Sequence, residues 1–558
     1  MTAGRMTAKN YGPRVMKSSS ALTRRSDFDS VKPRVGNVLY WRPSSRKATD
    51  RNIPLFRSAA GKKYAIRDYP AQEMTGSKNR RRAQLERITK SGLMVATGLL
   101  LAREAYWILL GAFNVDEYEN LQILWLMQRG LWPIRDYFHT HLPMYNFILY
   151  PVFAWFGPRA DLPGIVRVVF LPVVLLTVWQ VWWLGRRVGR SSGAAWLTTT
   201  LFLASPWVGN SLVEMRPDVF GAAFMLGATM CFVVYAESGG ERPFFMYLSG
   251  LACGLSFAIV TKTILVMLAI AGLFEVFNFH AARLPSARRW ARMTVFGVLT
   301  VAPFGFAFVA LQMAGLLKSG AMLSVFLFPQ NILNTEFLVP YSRRTVELVG
   351  LSTLPVFVVG AVDAIGVRFW RWRDIDAQNA PAKLVATIAP LATAQLLLVT
   401  WVAPHFFLPL VAFFAMLAAR RSWTAVSWAY PIIVVAATLC LGQFNTRDFY
   451  KGRSEQVATV QTLMSAVPAD KPILDAWTGF GAFHALLGNY LYFRPSVRDD
   501  PKNSYVSLVA QTLRRRGFGA VVYDARDPTT AVGIESLIRK NYVASERPTV
   551  FFPKEDTP

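Results

Sequence analysis

Carboxylates stand directly after the first long apolar segment of the chain. Asp116, Glu117 and Glu119 all lie within the first residues of the loop that follows it. A charge costs little where water reaches it, so a solvated loop end is one interpretation, and it suits Glu117 and Glu119 best. Asp116 is the stronger candidate for chemistry, because it lies at the end of the span, where its position is most fixed.

The same loop continues with an unusual density of Arg, His, Tyr and Asp. Its candidate substrate-binding residues are Arg135, Tyr137, His139 and His141, together with Glu117. Loops that are held on a rigid scaffold are where function concentrates. The two histidines are spaced to face one metal ion, but no third ligand is evident, so no metal site is predicted and a divalent ion stays possible.

A second loop and an interrupted apolar run add charged candidates. Arg216 and Asp218 precede and begin another apolar segment, where an acidic residue can also simply favour the helix dipole by about 0.3–1 kcal/mol. Lys262 interrupts the long apolar run 244–279, although an intramembrane charge costs roughly 2.5–3.5 kcal/mol. It either marks the turn of a helical hairpin or, facing a carboxylate-lined loop, binds a phosphate.

These motifs, in this order, resemble those of GT-C-type membrane glycosyltransferases, specifically the branch of protein O-mannosyltransferases and lipid A aminoarabinose transferases. The matching positions are Asp116-Glu117, Arg129-Gly130, Arg135 to Phe138, His141 with Pro143, Asp218, and Lys262-Thr263. The resemblance covers roughly residues 92–420 and, weakly, the periplasmic C-terminal segment. Two departures are that Leu142 interrupts the His-Pro-Pro common in the family, and that only Asp218 of the second loop can be matched.

The resemblance implies a polyprenyl phosphate carrying one sugar as donor, and inversion at the anomeric carbon. It fixes neither the sugar nor the acceptor, which is a glycolipid, another glycan or a protein. Asp116 is then the expected general base, and Asp218 is expected to shape the acceptor or sugar site. Lys262, with Arg216 or Arg135, would stabilise the leaving phosphate. No cofactor is firmly implied.

The elements that must position these residues are membrane helices. The chain of 558 residues is 53% hydrophobic and only 17% charged, which excludes a disordered chain and an ordinary cytosolic enzyme. A span needs about 20 apolar residues. We therefore predict a polytopic α-helical membrane protein of about 11 spans. They are expected near 92–113, 164–184, 193–209, 219–236, 245–261, 263–279, 294–313, 347–367, 384–402, 404–419 and 424–441.

One further apolar run, 143–157, is short and contains two prolines. If it does not span, the basic clusters between the other spans fall on the cytoplasmic side, as the positive-inside rule prefers. These clusters include Arg186-Arg187, Arg288-Arg289 and Arg420-Arg421. The run is therefore predicted to be a helix on the outer membrane surface, within the first outer loop.

Three domains follow from these patterns. Residues 1–90 hold 22 Lys and Arg against 6 Asp and Glu and form a basic, mostly disordered cytoplasmic tail. Residues 91–441 are expected to form the transmembrane domain, which the resemblance implies is GT-C-like and catalytic. Residues 442–558 contain strand-like runs at 472–476 and 520–524 between helical ones, which indicates a small α/β domain on the periplasmic side of a bacterial inner membrane.

Two other functions remain open at this stage. A transporter or flippase for a lipid or sugar would place its polar residues near the bilayer midplane, often within inverted repeats, whereas here they gather in outer loops. A membrane scaffold whose outer domain binds a partner would have no need for Asp116. The predicted partners are the polyprenyl-phosphate sugar, its acceptor and membrane lipids, and no nucleic acid is expected.

Overall fold

The computed structural model describes most of the chain from Ala71 onward. The described residues are 71–133, 135–136, 144–260, 263–280, 282–315, 353–367, 371, 375–376, 378–397, 407–424, 429–443, 452–475, 478, 480–487, 504–522, 532–546 and 549–554. The helices are α1 Ala71–Leu110, α2 Val115–Gln128, α3 Met144–Phe156, α4 Leu162–Val169, α5 Leu171–Gly189, α6 Ser192–Ala204, α7 Pro206–Val213, α8 Pro217–Glu237, α9 Pro243–Ile259, α10 Ile264–His280, α11 Ser286–Met313, α12 Thr353–Gly366, α13 Ala380–Leu397, α14 Leu408–Thr424, α15 Ala429–Gln443, α16 Arg453–Ala466, α17 Ser504–Arg514 and α18 Val532–Asn541.

The first helix begins earlier than the sequence predicted. α1 starts at Ala71, so residues 71–90, assigned to the irregular tail, are helical. Their Ala, Gln, Glu, Lys and Arg content favours a helix. Residues 1–70 of the predicted tail lie outside the described residues.

Within the described residues, three helices are long and apolar enough to cross a membrane. They are Ala83–Leu110 within α1, α8 and α11. A fourth results if α4 and α5 count as one span, since they are bent by 43° around Phe170. The total of about 11 spans therefore stays a prediction, as does their orientation.

Two glycines let α9 and α11 approach closely. Gly250 and Gly254 lie one turn apart on α9, and a Cβ added at Gly254 would come within 2.4 Å of the Thr300 carbonyl oxygen. At Gly250 it would come within 2.8 Å of the Phe296 carbonyl oxygen. This small-residue contact is the packing that membrane helices use where hydrophobicity cannot drive association.

The predicted surface helix is present as α3. Its 13 residues fall short of the roughly 20 needed to span. Tyr145, Leu149 and Phe153 are buried in a cluster with residues of α2 and α4, whereas Trp155 is exposed. Its position relative to a membrane stays a prediction.

The C-terminal segment forms a four-stranded mixed sheet. The strands are β1 Ile473–Asp475, β2 Ala520–Val522, β3 Tyr542–Ala544 and β4 Val550–Pro553, in the order β1-β2-β4-β3. β1 and β2 are parallel, and the other two pairs are antiparallel. Because side chains alternate along a strand, Val521 packs towards α17 and α18, while Ala520 and Val522 pack towards α16. Both predicted strand runs coincide with strands, and the domain boundaries stay predictions.

Candidate active site

The junction between α1 and α2 fixes the first candidate residues. Asn114 is the N-cap of α2, and its side chain accepts a hydrogen bond from the Asp116 amide at 3.2 Å. In return, the Glu117 carboxylate accepts one from the Asn114 amide at 2.7 Å. This reciprocal arrangement is a capping box, encoded by the three-residue spacing of Asn and Glu. The first turn of α2 therefore holds Asp116 and Glu117 in defined and different directions.

Glu117 is completely buried, which corrects its interpretation as a solvated loop carboxylate. It forms a two-point ion pair with Arg167 of α4, with Nε–Oε1 and Nη2–Oε2 distances of 2.8 and 2.6 Å. It also accepts a hydrogen bond from the Met215 amide at 2.9 Å. Arg167 in turn donates to the carbonyl oxygens of Trp107, Gly111 and Ala112 at the end of α1. With its oxygens engaged in this way, Glu117 joins α1, α2, α4 and the loop before α8.

Asp116 has a different environment. Its Oδ2 lies 2.7 Å from Nη1 of Arg216, and its side chain is 31% exposed. Asp116 is therefore a partly exposed carboxylate that is held in place by an ion pair, and such a carboxylate suits an acceptor of a substrate proton.

Arg216 is the centre of an acidic cluster. It also pairs with Glu214, whose carboxylate accepts from Asn114 Nδ2 at 3.2 Å. Burial raises the pKa of Glu214. Burial alone would lower the pKa of Arg216, but the carboxylates of Asp116, Glu214, Asp218 and Glu117 raise it above its usual range. The charge of Arg216 is thus already balanced within the protein, and its contacts are those of a residue that positions Asp116.

Asp218 and Tyr145 lie beside this cluster. Asp218 is buried in the first turn of α8. Two residues on, the Phe220 ring packs against the ring of Tyr145 with a centroid distance of 5.7 Å. The Tyr145 hydroxyl is buried and has no hydrogen-bond partner among the described residues. Burial, then Glu117 and Asp218, raise the pKa of Tyr145. The sequence interpretation missed Tyr145, because 143–157 reads as an apolar run.

Several predicted residues fall elsewhere. Tyr137, His139, His141 and Lys262 lie outside the described residues. Arg135 forms a partly exposed ion pair with Asp136 at 2.6 Å, in the turn after α2. Among the described residues, no group of three or more His, Cys, Asp or Glu side chains is placed to hold a metal ion.

The break predicted at Lys262 is present between α9 and α10. Its flanks lie near the start of α8: Ser256 donates to the Gly221 carbonyl oxygen at 2.9 Å, and Val260 packs against Gly221. Thr263, the first described residue after the break, donates to the Val260 carbonyl oxygen at 2.9 Å. The α9–α10 break therefore lies at the same end of the bundle as Asp218.

An apolar groove of about 350 Å³ opens between α3, α8, α9 and α11. Its lining consists of Met144, Phe147, Ile148, Phe224, Leu255, Ala258, Ile259, Pro303 and Phe306. Met144 and Ile259 directly neighbour Tyr145 and Val260 in the chain. The groove thus extends to the end of the bundle that carries the acidic cluster, and its surface suits a hydrocarbon chain.

Comparison with solved structures identifies the architecture. The structure of ArnT from Cupriavidus metallidurans in the apo state matches with a TM-score of 0.52 and 12% identity, covering 83% of this chain and 98% of that one. No protein-family profile and no curated protein matches the sequence.

Weaker similarities were also found. The Archaeoglobus fulgidus oligosaccharyltransferase in the apo form matches with a TM-score of 0.44 and 12% identity, over 78% of this chain and 69% of that one. Arabinosyltransferase EmbB from Mycobacterium smegmatis matches with a TM-score of 0.42 and 15% identity, over 59% of this chain, which spans only 30% of EmbB. At these identities similarity shows the fold alone: the chain has a GT-C-type fold similar to that of ArnT, which is the fold that the sequence resemblance implied.

Proposed function

We propose that this protein is an inverting glycosyltransferase that moves a sugar from a polyprenyl-phosphate donor to a hydroxyl acceptor on the periplasmic side of the inner membrane. The observation that carries the proposal is Asp116. It is an ionic, partly exposed carboxylate, fixed by the capping box and by Arg216, at the end of the bundle where the apolar groove opens. The fold supports a membrane-embedded transferase, and the environment of Asp116 supports its role as the proton acceptor.

The reaction needs few groups. Asp116 accepts the proton of the acceptor hydroxyl while that oxygen bonds to the anomeric carbon from the face opposite the phosphate. The bond between the anomeric carbon and the phosphate oxygen breaks, and the electron pair leaves with polyprenyl phosphate. The transition state has oxocarbenium character, which nearby carboxylates favour. Since phosphate leaves as a stable anion, no general acid is strictly required.

The other residues have supporting roles in this proposal. Asp218 shapes the sugar or acceptor site beside Tyr145, and the groove holds the apolar tail of the donor. Lys262 is the proposed cation for the leaving phosphate, because the charge of Arg216 is balanced by Asp116 and Glu214 and that of Arg135 is paired with Asp136. Tyr137, His139 and His141 are proposed to contact substrate from the first outer loop.

The experiment that tests the proposal uses purified full-length protein in proteoliposomes. Polyprenyl phosphates with different labelled sugars are supplied with hydroxyl acceptors, and nucleotide sugars serve as the alternative donors. We expect release of polyprenyl phosphate and a product of inverted anomeric configuration from lipid-linked donors only. Consumption of nucleotide sugars, or movement of the intact lipid-linked sugar across the bilayer without cleavage, would refute the proposal; the second result would favour a transporter.

A further inference from the structure

The backbone at the α1–α2 junction is held by a side chain from the C-terminal part of the chain. Gln456, in the first turn of α16, donates from Nε2 to the Phe113 carbonyl oxygen at 3.0 Å. Its Oε1 accepts from the Phe113 amide at 2.8 Å. One side-chain amide thus satisfies both polar backbone groups of a single residue more than 300 positions away.

A second residue of the same helix turn reinforces this contact. Arg453 donates to the carbonyl oxygens of Ile108, at 3.3 Å, and of Leu109. Both carbonyls belong to the last turn of α1, where a helix offers no amide partner of its own. The Arg453 guanidinium also lies 4.7 Å from the centroid of the Phe113 ring. α16 therefore holds the last turn of α1 through Arg453 and the backbone of Phe113 through Gln456.

Phe113, which Gln456 holds, lies three residues before Asp116, the candidate base. Phe113 directly precedes Asn114, the N-cap whose side chain bonds the Asp116 amide. A displacement of the backbone at Phe113 is therefore passed through the capping box to the Asp116 carboxylate. A misplacement of about 1 Å in a reacting geometry can reduce turnover about a hundredfold.

We infer that Gln456 is a positioning residue: its paired hydrogen bonds to Phe113 make the C-terminal region part of the catalytic apparatus by fixing where Asp116 stands. The catalytic half of this inference rests on the proposed glycosyl transfer. The structural half, that Gln456 anchors the junction, does not.

The test compares Gln456→Ala with Gln461→Ala, an exposed glutamine on the same helix, in the full-length protein. Hydrogen exchange at the Phe113 amide measures the anchor without reference to activity, and kcat and donor KM measure positioning. We expect Gln456→Ala to speed exchange and lower kcat about 10- to 100-fold with donor KM little changed, while Gln461→Ala matches the parent in both. Gln456→Glu, which keeps the acceptor for the Phe113 amide, should fall between them.

Two results would overturn the inference. Unchanged exchange in Gln456→Ala would show that the junction is held without Gln456. Faster exchange with unchanged kcat would show an anchor that does not position the base. If the parent transfers no sugar from lipid-linked donors, the proposed function and the catalytic half fail together, and the exchange rates alone then support or refute the anchor.

Discussion

Adjacent carboxylates at the start of α2 have opposite environments. Asp116 is partly exposed and forms an ion pair with Arg216, whereas Glu117 is buried in an ion pair with Arg167. The sequence shows that Asp116 follows an apolar run, because that is a local property, and its role as the base stays a prediction. It could not reveal the burial of Glu117, since the partner Arg167 comes 50 positions later in an apolar segment and the pairing is a tertiary contact.

The buried pair leads to a prediction about stability. Replacing Glu117 by Gln leaves the Arg167 charge buried without its counter-ion, which typically costs about 3–5 kcal/mol. We expect Glu117→Gln to lower the yield of folded protein and its thermal stability in detergent, measured by size-exclusion chromatography after heating. Glu241→Gln, at an exposed carboxylate, is the control and should behave like the parent. Parent-like thermal stability in Glu117→Gln would contradict the assigned role of the pair.

At the scale of elements, the lengths of the apolar runs predicted the bounds of α8 and α10 well but did not predict where a run is divided into two helices. α8 covers 217–237 where 219–236 was expected, and α10 covers 264–280 where 263–279 was expected. The run 164–184, by contrast, is two helices bent around Phe170. Pro172 in the first turn of α5 was the available signal for this break, because proline favours a helix start. The mean hydropathy of a window of residues does not reveal such a break, because the residues on both sides of it are apolar.

The α9–α11 contact gives the second prediction. Gly254→Ala would place a Cβ 2.4 Å from the Thr300 carbonyl oxygen, a backbone atom that can yield only if the helices separate. We expect a loss of about 1–3 kcal/mol, seen as a lower unfolding temperature. Gly272→Ala on α10 is the control, since a Cβ there meets nothing within 4 Å, and it should be neutral or stabilising by up to about 1 kcal/mol. Equal unfolding temperatures in the two variants would refute the close packing of α9 against α11.

For the whole molecule, charge distribution predicts the orientation. The excess of basic over acidic residues, 61 against 34, is concentrated in the tail and in the loops assigned to the cytoplasm. The assignment of these loops to the cytoplasm depends on α3 lying on the membrane surface, and this stays a prediction. The fold places the site at one end of the helix bundle, and the loop charges predict which side of the membrane that end faces.

Reporter fusions test this orientation. A reporter placed after residue 190 should read cytoplasmic, because Arg186-Arg187 and Arg190 resist translocation. One placed after residue 450 should read periplasmic. A periplasmic reading at position 190 would mean that 143–157 spans the membrane and that the count rises to about 12.

The central claim, that Asp116 is the base of a lipid-linked glycosyl transfer, is tested most directly by one measurement: the rate of sugar transfer from labelled polyprenyl phosphate in Asp116→Asn beside Glu119→Gln and the parent. Asn keeps the size of Asp and a hydrogen-bonding oxygen but is a very poor proton acceptor. We predict normal accumulation and donor binding in Asp116→Asn, with transfer reduced at least about a hundredfold. The effect of Glu119→Gln should be much milder. Transfer by Asp116→Asn at the parental rate would contradict the account.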